Sequence, residues 1–125
     1  MQSQIPLWLP TVGRVLFGSY FLLMGASHLF NFREHAGLLD RKRVPLPEAA
    51  TMLTVVMMVS GSLLIMFNWH LAFGGALLCG IILPAPFFLH HFWNETDSYN
   101  RLSEFAHFIK DLSLAGAAIL LFVNN

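Results

Sequence analysis

The chain has 125 residues, 56% of them hydrophobic and 11% charged, against about 25% charged in an ordinary soluble domain. Seven basic and seven acidic residues cancel to a formal net charge of zero, so no basic footprint for nucleic acid and no acidic tail is present. With a mean hydropathy of +0.62 the exterior must face lipid, and the length suits one domain, residues 1–125.

The opening MQSQIPLWLP lacks the basic residues of a signal-peptide n-region, so the first apolar stretch reads as a retained span, residues 7–30. Along it Arg14, Gly18, Phe21, Gly25 and His28 recur at intervals of four and three, a seam expected to face inward. Residues 31–48 read as the one long loop, carrying Arg33, Glu34, Asp40 and the run Arg41-Lys42-Arg43 before the turn at Pro45 to Pro47. That basic run suits a topology determinant meeting anionic headgroups.

The second span covers 49–67, and Asn68-Trp69-His70 is short enough to reverse the chain into a third span at 70–93. Ala72, Ala76, Gly80 and Pro84 recur every four residues there and predict a face that another helix approaches closely. Pro84 and Pro86 lack backbone donors, which predicts a broken helix just before His90 and His91. A polar connector at 94–102 leads to the fourth span, 103–123. Cys79 is the single cysteine, which excludes an intramolecular disulfide and a CxxC pair and suits a small buried hydrophobe.

The fold class is therefore all-α, an integral membrane antiparallel four-helix bundle. Six of the seven basic residues lie on the side of the two longer loops, with only Arg14 toward the termini. The positive-inside rule places loops 31–48 and 94–102 in the cytoplasm and both termini outside, in a bacterial or archaeal plasma membrane. Trp8 and Trp69 then mark the outer interface, Trp93 and Tyr99 the inner one.

Ionisable residues at membrane depth are costly, and each is a functional hypothesis. His28, His90, His91, His107, Lys110 and Asp111 converge on the cytoplasmic leaflet. His107 and Asp111 share a helical face and are placed to hydrogen-bond along it, whereas the adjacent Lys110 and Asp111 diverge by about 100° and each needs a partner on another helix. Interhelical or interfacial hydrogen bonding is the bland alternative for each histidine. A haem between two inward histidines, His28 with His90 or His107, is a further geometry; no metal-ligand motif, nucleotide loop or nucleophile elbow is present.

Three segments carry a family pattern: GASHLFNFREHAGLLDRKRVPLP from Gly25 to Pro47, LPAPFFLHHFWNETD from Leu83 to Asp97, and FAHFIKDLSLAGAAILLF from Phe105 to Phe122. They resemble the signature stretches of the DoxX family, small four-helix integral membrane proteins. His90, Phe92 and Trp93 match the family's H-x-F-W pattern, while His28 stands where relatives carry lysine and Lys110-Asp111 where they carry Lys-Asn. Some relatives resemble the membrane subunit of thiosulfate:quinone oxidoreductase, so the resemblance implies electron transfer to quinone or anchoring of a redox partner.

The expected function is a membrane component of a redox system, in which His28, His90, His107, Lys110 and Asp111 line a pocket for a quinone-like or small anionic ligand. The alternative is a noncatalytic scaffold or assembly subunit for a partner protein, alone or as a homo-oligomer. Small-solute transport is weaker, because the outer half of the spans offers almost no polar residue besides Arg14.

Overall fold

The computed structural model describes residues 5–90 and 92–123, and among these the ordered elements are all helical. They are α1 (Trp8–Phe30), α2 (Phe32–Arg41), α3 (Pro47–Met66), α4 (Leu71–Ile82), α5 (Ala85–Leu89), a single 3₁₀ turn (Phe92–Asn94) and α6 (Ser98–Val123). Three segments are long and apolar enough to cross a membrane: α1, α3 and the run Leu71–Asn94. At about 1.5 Å per residue, the 23 residues of α1 extend roughly 34 Å, a match for a hydrocarbon core of about 30 Å.

Burial is inverted relative to a soluble bundle. Leu16, Leu23, Leu53, Phe73 and Leu120 are each more than half exposed, while Thr51 and Ser62 are wholly buried. Both hydroxyls satisfy themselves on their own helix, Thr51 Oγ1 donating to Pro47 O (2.8 Å) and Ser62 Oγ to Val59 O (2.9 Å). Lipid is the solvent that suits such an exterior.

One apolar core joins the four long elements: Phe21 from α1, Met58 and Ile65 from α3, Leu78 and Ile82 from α4, Ala115 and Ala118 from α6. Neighbours run antiparallel. Along α1, Gly18 faces Ser62 and Met66 whereas Gly25 faces Met58 and Val59, so α3 descends as α1 rises. The α1 seam is as the spacing predicts: Gly18, Phe21 and Gly25 are buried, with Arg14 and His28 partly so.

The close approach between α3 and α4 falls elsewhere than the spacing of small residues predicts. Ala76, Gly80 and Pro84 are exposed, and the helices instead meet at Gly61 and Gly74, where a Cβ on either would lie 3.0–3.1 Å from the other's carbonyl oxygen. Gly74, Gly75, Leu78 and Ile82 form the buried face of α4, because the large side chains Leu78 and Ile82 fix which side turns to the core and the small residues follow.

The expected loop 31–48 contains a helix. Phe32, Ala36 and Leu39 recur at four and three residues, which gives α2 an apolar stripe with Ala36 and Leu39 buried, while Arg33, Glu34, Asp40 and Arg41 stay on its more open side. It ends in a Schellman motif: Val44 N–H donates to Leu39 O (2.9 Å), Arg43 N–H to Asp40 O (3.0 Å), and Arg43 takes the left-handed conformation, φ 62°. The turn after α3 repeats that motif, with Trp69 N–H on Leu64 O, Asn68 N–H on Ile65 O and Asn68 at φ 54°. The fourth helix starts five residues before the expected 103, since Asp97 Oδ2 accepts from Asn100 N–H (3.0 Å) and caps its first turn. Hydropathy marks only the apolar part of α6, which follows these polar first turns, and α6 is not among the three segments apolar enough to cross a membrane.

Candidate functional site

The break in the third span positions His90. Pro84 and Pro86 interrupt the ladder between α4 and α5, and His90 leaves helical geometry at φ −120°, ψ 66°, its N–H held by Pro86 O (2.9 Å). Its ring is thereby turned toward α6. On α6, Glu104, His107 and Asp111 follow at three and four residues and share one face, the Cα atoms of Glu104 and Asp111 about 10.5 Å apart along the axis.

The imidazole bridges that interval. His90 Nδ1 lies 3.4 Å from Glu104 Oε1 and Nε2 lies 3.6 Å from Asp111 Oδ2. Side-chain exposure is 22% for His90, 21% for Glu104 and 17% for Asp111. The polar chain continues at both ends. Lys42, just past α2, places Nζ 3.8 Å from Glu104 Oε2, while Lys110 Nζ sits 3.9 Å from Asp111 Oδ1 and donates to Tyr20 Oη on α1 at 3.0 Å, 5.5 Å from that ring's centroid. Adjacency on the helix therefore does not keep Lys110 and Asp111 apart, and each also has the partner on another segment that the spacing requires.

With a neutral imidazole the two lysines and two carboxylates balance, and a neutral ring donates to only one of its two carboxylates. Protonation makes both ring nitrogens donors and leaves the site with one net positive charge. Asp111 lies thirteen residues into α6, about 20 Å from its start, and Tyr20 twelve residues into α1, so the chain runs from the loop side to mid-helix depth. Aromatic rings wall this end, with Phe92 edge-on to Phe105, Phe108 and Trp93 at 5.0–5.4 Å between centroids.

Of the residues singled out by sequence, His90, His107, Lys110 and Asp111 come together here. His107 joins differently from expectation: its ring stacks on His90 (5.1 Å, 22° between planes) instead of bonding Asp111 along the helix. His28 is drawn elsewhere, because the turn into α2 brings His35 back onto it with centroids 3.9 Å apart and planes 22° apart. The expected haem pairings, His28 with His90 or His107, are not formed, since His28 stacks on His35 and His90 on His107. Among the described residues no three His, Cys, Asp or Glu side chains converge to hold a metal ion. His91 lies outside the described residues.

Three members of the chain are not among the expected site residues: Lys42, Glu104 and Tyr20. The available signal for Glu104 is its spacing of three and seven from His107 and Asp111. Lys42 and Tyr20 have none, since the fold-back of α2 and the register of α1 against α6 place them.

A family model, DoxX, matches residues 9–91, two thirds of the chain. The chain belongs to the DoxX family. As a DoxX protein it is a membrane protein with apolar helices, and the matched stretch holds Tyr20, Lys42 and His90. The α6 residues that complete the site lie beyond the matched residues 9–91. No curated protein and no solved structure matches the chain.

Proposed function

We propose that this DoxX protein is the membrane component of a redox system, and that the Glu104, His90, Asp111, Lys110 and Tyr20 chain binds a quinone-like ligand and handles its protons. In this reading the four long elements cross the bilayer as an antiparallel bundle, termini outside and residues 31–48 and 94–102 in the cytoplasm. The excess of Arg and Lys on the loop side and the exposed Trp8, Trp69, Trp93 and Tyr99 at the two ends support that orientation.

The observation that carries the function is one imidazole with each nitrogen against a carboxylate, at a depth where charge is expensive. Quinone reduction takes up two electrons and two protons. The electrons come from a redox protein partner; the protons pass from imidazolium to the carbonyl oxygens, and His90 is recharged through Glu104 from the loop side. Exposed His107 and half-exposed Lys110 are the donors a ligand arriving from lipid meets first.

Ubiquinone titration of the purified protein tests this. Saturable binding that weakens in His90→Ala and in Lys110→Ala is the expected result, and negligible binding in all three proteins sinks it. The scaffold reading draws on the mutual neutralisation of the chain and on Arg41 and Arg43, which are exposed beside the engaged Lys42. A stoichiometric partner retained from native membranes by the wild type and lost on neutralising Arg41 and Arg43, without any quinone binding, supports it instead.

A further inference from the structure

A second polar feature shares no residue with the histidine chain. Between α2 and the first turn of α3 lies an open cleft of about 610 Å³, within the range of about 300–1,000 Å³ that small-molecule sites occupy. Arg33 and Asp40 from α2 and Glu48 from α3 line it, with Phe32 and Pro47 as apolar walls. Gly37 sits between the two α2 charges and keeps the floor low; a Cβ there would meet only the Arg41 guanidinium, at 3.7 Å.

The charges are unspent. Among the described residues, no ion pair or side-chain hydrogen bond engages Arg33, Asp40 or Glu48, although opposite charges line the same cleft. Arg33 and Asp40 stand seven residues apart, with Cα atoms about 10.5 Å apart along one face of α2, and no ion pair joins them. The level is set by the neighbouring helices: α1 ends at Phe30 and α3 begins at Pro47, so the cleft opens where the apolar spans stop and headgroups begin.

We infer that this cleft binds the headgroup of an amine-bearing phospholipid, phosphatidylethanolamine in chemistry. Arg33 takes the phosphate through its planar fork of donors, and Asp40 with Glu48 accepts hydrogen bonds from the primary ammonium. The glycerol and upper acyl carbons lie against Phe32 and Pro47. The Arg33 and Arg41 guanidinium groups balance the two carboxylates, which suits a zwitterionic headgroup over an anionic one with no cation of its own. A quaternary ammonium has no N–H to give the carboxylates. The inference needs only that the protein lies in a membrane and stands apart from the redox reading.

The test is native mass spectrometry of the full-length protein released from detergent, mixed with phosphatidylethanolamine, phosphatidylcholine and phosphatidylglycerol of identical acyl chains. Retention of the ethanolamine lipid about fivefold above the other two is expected, the scale of one or two exposed ion pairs. In Asp40→Asn/Glu48→Gln that preference disappears; in Arg33→Ala all three lipids weaken together, and Arg33→Lys restores part of the binding. Helix content by circular dichroism checks that the variants fold, and Glu48→Gln alone, at an exposed first-turn position, serves if the double variant does not. Equal retention of the three lipids by the wild type, or a preference that survives loss of the carboxylates, overturns the inference. So does displacement of the lipid by soluble phosphoethanolamine at equal concentration, which assigns the cleft to a free metabolite.

Discussion

Substituting alanine for Gly74 probes the tightest contact between α3 and α4. A Cβ built there lies 3.0 Å from Gly61 O, 3.0 Å from Leu64 Cβ and 3.1 Å from Ile65 Cγ1. These are backbone, a Cβ and a branch of a wholly buried side chain, so none swings aside as the end of a flexible chain does. The helices must separate by a few tenths of an ångström, and overpacking of this kind costs about 1–3 kcal/mol. Against it stands the helix-propensity gain of replacing glycine with alanine, about 1 kcal/mol. Gly116 isolates that gain, because a Cβ there has nothing within 4 Å. Gly116→Ala is therefore expected to be neutral or stabilising by up to about 1 kcal/mol, and Gly74→Ala to fall below it by about 1–3 kcal/mol, the propensity gain cancelling between them. Reversible unfolding in mixed micelles, followed by far-ultraviolet circular dichroism, measures the difference. Equal stability of the two variants refutes the claim that Gly61 and Gly74 set the α3 to α4 distance, and so does a Gly80→Ala variant that suffers more than Gly74→Ala.

Two further outcomes follow from the polar contacts. A double-mutant cycle on Tyr20→Phe and Lys110→Met should give a coupling of about 0.6–1.7 kcal/mol, the range of interhelical hydrogen bonds in membranes, and additive variants would show that α1 and α6 are not joined there. Burial holds the His35 imidazole below its ordinary value of 6.5, so the unfolded chain binds the proton more readily. The stabilisation from keeping His35 neutral is complete above about pH 6.5 and falls away as pH drops through and below it. Melting temperature from pH 8 to pH 5 should decline less steeply in His35→Gln than in the wild type, and parallel profiles would remove His35 as the cause.

How far the residues announce this structure depends on range. Three of the four expected spans are legible because about 20 apolar residues in a row match the thickness of a bilayer and little else, while the fourth, 103–123, is helical within α6 without being among those segments; the inward seam of α1 is legible because Gly18, Phe21 and Gly25 recur at helical spacing. The break before His90 is legible because proline chemistry is local. Helix α2 escapes a reading tuned to hydropathy, since its charged face masks the stripe of Phe32, Ala36 and Leu39. The small-residue ridge on α4 misleads for a related reason: small residues permit close approach on any face, and the positions of Leu78 and Ile82 decide which face is used. Half of the polar site follows from depth and spacing. The rest depends on which helix lies beside which, and that register sends His28 to His35 and brings Lys42 and Tyr20 into line with His90.

The cancelling charge of the whole chain resolves into three local balances. Lys42, Glu104, Asp111 and Lys110 neutralise one another along the histidine chain. Arg33 and Arg41 balance Asp40 and Glu48 at the α2 cleft, and Arg14, Arg43 and Arg101 balance Glu34, Glu95 and Asp97. Within that locally neutral chain His90, with His107 stacked on it, is the ring held between both carboxylates. A proton on it turns a balanced array into a net cation beside Lys110, which is the state that favours a ligand acquiring negative charge. When that proton is passed on, balance returns and the attraction for the reduced, protonated product falls. In the proposed reading, a proton on that imidazole favours a quinone-like ligand acquiring negative charge, and its loss favours release. Ubiquinone affinity should accordingly fall in His90→Ala, which removes the ring held between the two carboxylates.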